Sequence, residues 1–408
     1  MKTSGPGSAI GAAVAVLALV ACDGLLEVSD PNRLTSEDVD KSLAELANGI
    51  EGAAYEPVDE WVVFQALLAD VYQSTDTAEA TKAIDQGDIG NSPWISGIAN
   101  EWARAKGAGR NAEERFRRVL GNAEAGSSAL TAQVRLAVGL VGLYQGMTFC
   151  RSVSNGDVMT DREVLAEAEQ DFTRAMTVGQ LAGRADYVMA AQAGRAQARA
   201  LLLEWAGAAA DAAAIPEGFS HAAVFPSTQT NEVFELTTVQ RAVGIMYPWW
   251  PTIEVKDGPG FMSDPSSGLP DTRIPVYFDG EPGLDMQTPH YGQRKYTGAR
   301  DPIPLVHYDL MRLIIAEALL HRQDYSGATA ILNELRATVG LPGYATPTDF
   351  DGMEEILLRE RFAELFLEGQ RLVDLHRKGL MRVVFEALND PERPGAGRPS
   401  KWGNCQPS

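Results

Sequence analysis

The sequence predicts a mainly α-helical fold, built of tetratricopeptide-like helical hairpins that carry a loop-rich insert. Two observations predict it. Apolar residues recur every three to four positions from Val39 to Ala214 and again from Leu310 to Leu372. Between these stretches, residues 215–304 hold twelve of the 22 prolines, too many for long helices. Of the 408 residues, 45% are hydrophobic and 22% charged, enough apolar side chains for a sizeable core. The net charge of -20 repels phosphate backbones and anionic lipid, so nucleic acid is not an expected partner.

Met1 and Lys2 give a short positive start, and Ser8 to Ala21 is an apolar run of small residues and leucines. It is too short to span a bilayer, which takes ~20 apolar residues, and reads as the core of a signal peptide over residues 1–21. The run ends Leu19-Val20-Ala21-Cys22, which resembles the bacterial lipobox. That resemblance implies that Cys22 is acylated and becomes the new N-terminus, with several acyl chains giving stable anchoring. Residues 22–34 then read as a lipidated tether, because the acidic and Pro-Asn residues of DGLLEVSDPNRL disfavour a helix. No later segment is apolar enough to span a membrane.

A single domain is expected over residues 35–408. Ser36 caps a first helix with a stripe of Val39, Leu43, Leu46 and Ile50. Helices follow over Val58 to Tyr72, Ala99 to Leu120 and Thr131 to Cys150. Trp61, Trp102 and Trp205 sit in helical patterns and read as core. Thr160 with Glu163 forms a capping box ahead of Val164, Leu165, Ala168, Phe172 and Ala175. Tyr187 to Ala214 reads as one alanine-rich helix stopped by Pro216. After the insert, Leu310 to Leu320 and Ala328 to Leu335 form a helical hairpin around Gln323 to Tyr325, closed by Gly340 and Pro342. Asp351, with Glu354 three residues on, predicts the start of a last helix with Leu358, Phe362, Leu365 and Leu372 on one face. Arg361, Glu364, Glu368 and Arg371 fall on an adjoining face and read as a structural ion network.

No catalytic constellation stands out. His-Glu-x-x-His, Gly-x-Ser-x-Gly and phosphate-cradling Gly-rich motifs are missing from the sequence. The five histidines lack metal-ligand spacing, so neither metal nor cofactor is expected. Ring faces suit sugar capture, since a sugar offers C–H groups on one side and hydroxyls at its edge. Tyr247, Trp249, Trp250, Trp94 and Tyr291, in segments read as irregular, are the candidate ligand residues. Plugging loops onto the helical base is their alternative role. With Cys22 acylated, Cys150 and Cys405 are left as a candidate disulfide, two unrelated thiols being the alternative.

Two C-terminal stretches resemble the signature of the RagB/SusD family. They are LIIAEALL from Leu313 with AILNELR from Ala330, and ERFAELFLEGQRLVDL from Glu360. Asp271-Thr272-Arg273 and Lys295-Tyr296 are weaker echoes. The resemblance implies an outer-membrane lipoprotein, surface-exposed in most members, that is not an enzyme. It captures glycans or peptides as the lid of a SusC-like TonB-dependent barrel. A surface glycoside hydrolase and a tetratricopeptide-like adaptor in outer-membrane assembly are the alternative functions. Asp23, behind Cys22, resembles the surface-export signal of such lipoproteins, the alternative being the aspartate that in some other bacteria retains a lipoprotein in the inner membrane.

Overall fold

The computed structural model describes residues 36–381, apart from 88, 90–91, 155–156 and 247–261. It divides into two units at Leu43/Ala44. The described part of the first holds the short helix Ser36–Lys41. All that follows concerns the second.

The expected first helix is broken at Ser42, and its second part, Leu43–Tyr55, begins the helical base; Val58–Leu68 follows, a helix apolar on nearly every side and therefore buried nearly all round. It ends earlier than its apolar run suggests, because the chain turns extended at Ala69 and Tyr72–Ser74 becomes strand β1. Pro93–Leu120 starts earlier than expected. Ser92 caps it by accepting from the Ile95 N–H, and Pro93 occupies the first turn, where its missing N–H costs nothing. Ala129–Thr148 and Asp161–Leu181 follow, the second opened by the Thr160/Glu163 capping box read in the sequence. These two helices approach closely at Gly139, where an added Cβ would lie 2.8 Å from the Phe172 ring. The expected long helix to Ala214 is instead two, Ala185–Leu201 and Trp205–Ala212, broken where Leu203 takes the left-handed conformation at φ 67°. Trp61 and Trp102 are in the core, in edge-to-face contact at 6.2 Å, whereas Trp205 is half-buried and stacks on His321 at 4.3 Å.

The described part of the insert is strand and turn, apart from one short helical stretch, Glu232–Phe234 running on into Glu235–Val239, which Asn231 caps. Strand β4 (Ser220–Ala223) pairs antiparallel with β8 (Ile303–His307). β5 (Val243–Ile245) pairs with β1, and β6 (Val276–Pro282) with β7 (Pro289–Gln293). A further hairpin, β2 (Arg151–Ser154) with β3 (Asp157–Thr160), lies outside the insert.

After β8 comes the predicted helical hairpin, Tyr308–His321 and Tyr325–Thr338, with Gln323 at φ 59° in the turn and Asp324 capping the second helix. Leu313, Leu320, Ala328 and Leu332 close its contact with the core.

The last helix differs from expectation at both ends. Asp349, not Asp351, caps it, accepting from the Gly352 N–H at 2.8 Å, and Glu354 accepts from Lys378 Nζ at 2.7 Å. It spans Phe350–Glu364 and stops. Leu365–Gln370 is a tight irregular segment, and a separate helix, Arg371–Arg377, carries Arg371 and Leu372. The break is fixed by Gly369 at φ 75°. A Cβ there would fall 1.8 Å from Trp61 Cζ3, so only hydrogen fits.

Candidate functional site

The four charged residues of the C-terminal stripe find their partners on other elements. Arg361 Nε donates to Asp374 Oδ2 at 2.8 Å, and Arg371 reaches Asp70 with two bonds of 2.7 and 2.6 Å. Those two bonds fasten the segment to the helical base. The acids point the other way, toward the insert. Glu364 accepts from Arg273 Nη1 at 2.7 Å. Glu368 accepts from Lys295 Nζ at 2.6 Å and meets His307 Nε2 at 2.8 Å.

Glu360, one turn before Glu364, is the junction. Its carboxylate takes Arg273 Nη1 on one oxygen, and Arg336 Nη1 and the Tyr344 hydroxyl on the other. Arg336 is completely buried and uses all five donors: Asp264 twice, Glu360, Ser266 Oγ and the Pro342 carbonyl. Its guanidinium also lies 3.9 Å from the Tyr344 ring centroid. A buried charge is tolerated only when paired and fully hydrogen-bonded, and this one is.

Sequence reasoning found the stripe but missed these partners. Two were within reach. Asp271-Thr272-Arg273 puts Arg273 in a two-bond clasp with Asp271 and then onto Glu360. Lys295-Tyr296 ends on the same segment, with Lys295 Nζ donating to the Phe366 carbonyl and the Tyr296 hydroxyl to the Leu367 carbonyl. Arg336 carries no such local sign.

Two carboxyls, one in this frame and one on the helix Val58–Leu68, are displaced upward to about 7. Burial pushes Glu364 up to about 7; Arg273 opposes this but shares its charge among three carboxylates. Burial also takes Asp59 to about 7, against the pull of the Glu232 and Glu60 N–H groups. Burial opposes charge on His307 as well, yet Glu368 beside it raises its pKa. All three groups hold protons more tightly folded than unfolded. Their stabilising contribution is therefore full at low pH and lost as pH rises, for Glu364 and Asp59 between the ordinary carboxylate range and about 7, and for His307 above the ordinary histidine range. Glu368 runs opposite: despite burial, Lys295 and His307 hold it at about 2, so its contribution is lost only as pH falls toward that value. The melting temperature is expected to fall as pH rises from about 5 to about 7.5, and Glu364→Gln to flatten that fall. Thermal melts followed by circular dichroism check this; an unchanged slope in the variant contradicts it.

Of the candidate ring residues, Trp94 is in the first turn of the Pro93–Leu120 helix and not in an irregular segment. It is half-buried, and its Nε1 donates to Glu60 Oε2 at 2.9 Å. Tyr291, on β7, stacks on Phe278 of β6 at 4.8 Å, both half-exposed on the hairpin. Tyr247, Trp249 and Trp250 lie outside the described residues, as do Cys22 and Cys405. Cys150 lies just ahead of β2 and is disulfide-bonded.

Among the described residues no group of three His, Cys, Asp or Glu side chains is placed to hold a metal ion. No described helix is long and apolar enough to cross a membrane. A cleft of about 630 Å³ opens beside the C-terminal stripe, over β4, β8 and the Tyr308–Thr338 hairpin. No pattern in the sequence pointed to it.

Comparison with known proteins agrees with the C-terminal resemblance. Residues 290–394 match the family described as the SusD family. No curated protein matches. Among solved structures, a SusD superfamily protein from Bacteroides vulgatus superposes with a TM-score of 0.65 at 13% identity, covering 84% of this chain and 89% of that one. A SusD-like carbohydrate binding protein from Bacteroides fragilis gives 0.65 at 17%, covering 85% and 87%. A laminarin binding SusD-like protein gives 0.61 at 15%, covering 85% and 93%. At these identities the likeness is one of fold, and the fold is SusD-like.

Proposed function

We propose that this chain, which carries the SusD family's C-terminal segment on a SusD-like fold, is a glycan-capturing lipoprotein without turnover of its own. It is anchored in the outer membrane through Cys22, faces outside the cell, and delivers its ligand to a SusC-like TonB-dependent barrel. The observation that carries this reading is the family match over residues 290–394, the part of the chain that organises the insert. The carbohydrate-binding and laminarin-binding neighbours of the same fold support glycan as the ligand class.

In this reading the insert presents the capturing rings. Trp249 and Trp250, with Tyr247 beside them, are the densest ring cluster in it. Trp249→Ala with Trp250→Ala is expected to weaken glycan binding in affinity electrophoresis and to leave helix content unchanged by circular dichroism. Loss of folding would show the rings to be structural plugs, each costing ~3–5 kcal/mol when truncated. Trp94 and Tyr291 are secondary candidates, since each already has a partner for its polar or ring face.

Cys150 pairs with Cys405 in this reading, because Cys22 is taken by the lipid. The tail would then be tied to the helical body. Compartment and partner are tested together. Cys22→Ser is expected to leave the outer-membrane fraction, while a pull-down of detergent-solubilised wild type recovers a large TonB-dependent barrel. A correctly processed, outer-membrane Cys22→Ser protein, or a pull-down of periplasmic proteins alone, contradicts the reading.

A further inference from the structure

The cleft beside the C-terminal stripe has the makings of a site of its own. The backbone N–H of Tyr308 donates to the Phe219 carbonyl at 2.9 Å, continuing the β4–β8 ladder by one pair. Opposed residues of an antiparallel pair place their side chains on one face. Phe219 and Tyr308 both line the cleft, and both are half-exposed. Arg312 lies one helical turn beyond Tyr308. Its guanidinium carbon is 6.0 Å from the Tyr308 ring centroid, and the side chain is held there by an ion pair with Glu334 of the next helix. Ser220 and Thr338 add hydroxyls, and Glu364 forms part of the floor.

The volume of about 630 Å³ falls within the ~300–1,000 Å³ of small-molecule sites. Apolar ring faces beside planar polar groups and hydroxyls suit a sugar better than a wholly apolar ligand. Charge narrows the class. Glu217, Asp309 and Glu334 line the cleft, and the arginine that lines it, Arg312, is already paired with Glu334. A ligand bearing carboxylate or sulfate would be repelled, since like charges at such short range are weakly screened.

We infer that this cleft, formed by β4, β8 and the Tyr308–Thr338 hairpin, is a saccharide-binding site in its own right that takes neutral sugars and rejects acidic ones. The inference goes beyond the proposed function, because it needs no contribution from the insert's tryptophans.

The test uses full-length protein labelled with 3-fluorotyrosine, the Tyr308 ¹⁹F resonance being assigned with Tyr308→Phe. Maltohexaose and laminarihexaose are the neutral probes, and a polygalacturonate fragment of similar length is the acidic control. The Tyr308 resonance is expected to shift saturably with a neutral probe, equally in wild type and in the Trp249→Ala/Trp250→Ala variant, and to ignore the acidic one. Phe219→Ala is expected to weaken that titration roughly tenfold. A Tyr308 resonance unmoved by either neutral probe overturns the cleft site. If calorimetry then still detects glycan binding that depends on Trp249 and Trp250, the proposed function stands without it. A shift with the acidic probe overturns the charge assignment.

Discussion

Replacing Arg336 with methionine is expected to cost about 3–5 kcal/mol, the usual loss when one partner of a buried ion pair is removed. The reason is local. Asp264 and Glu360 are both nearly fully buried, and each would lose a main hydrogen-bond and charge partner. Burial alone raises the Asp264 pKa, but Arg336 and the hydroxyls of Ser266 and Ser267 hold it well below the usual carboxylate range. Without Arg336 that carboxylate loses its counter-charge. Hydrogen exchange should rise first in residues 262–274, whose attachment runs through Asp264 and Asp271, and later in the helical base. Chemical denaturation gives the magnitude. A variant as stable as wild type, with unchanged exchange over 262–274, would show that the junction does not hold the insert.

Gly369→Ala is the second large effect, expected at about 3 kcal/mol from two costs. Left-handed backbone costs an L-residue ~1–2 kcal/mol, and overpacking costs typically ~1–3 kcal/mol. The new methyl would meet Trp61 Cζ3 at 1.8 Å in the closed core, where Trp61 also contacts Trp102 and Tyr144. Trp61 is 1% exposed and has no free space to move into. The melting temperature should drop by several degrees. The adjacent Arg371–Asp70 clasp should loosen with it, since both lie on the same turn. A Gly369→Ala protein melting like wild type would contradict the close approach.

These residues also show how far the sequence could be read. Helices with one apolar face and a local cap were legible, as at Thr160/Glu163, because cap and stripe lie within a few residues of each other. Helix ends were less so. Leu365, Phe366 and Leu367 are all buried, so the apolar pattern runs through the break at Glu364 and Gly369 alone marks it in the sequence. Leu203 hides the break before Trp205 more completely, because no glycine marks its left-handed turn. Asp349 and Asp351 offer equivalent caps on paper, and the extended conformation of Asp349 decides between them.

The charged stripe was legible as a set of residues but not as a set of bonds. Arg371 and Asp70 are 301 positions apart, and Arg336 and Asp264 are 72 apart. Pairing over such separations is a property of the fold, not of spacing. The ligand rings present the reverse case. Composition singled out Tyr247, Trp249 and Trp250, whereas the Phe219/Tyr308 cleft is made by one strand pair and has no sequence motif.

As proposed, this chain binds glycan and does not cut it. Isothermal titration calorimetry against a panel of soluble neutral polysaccharides, laminarin among them, tests this most directly when chain length is followed by size-exclusion chromatography on the same samples. Saturable binding to at least one polysaccharide is expected, with its size distribution unchanged after prolonged incubation. Absence of binding across the panel, or shortening of a bound polymer, would contradict the proposal.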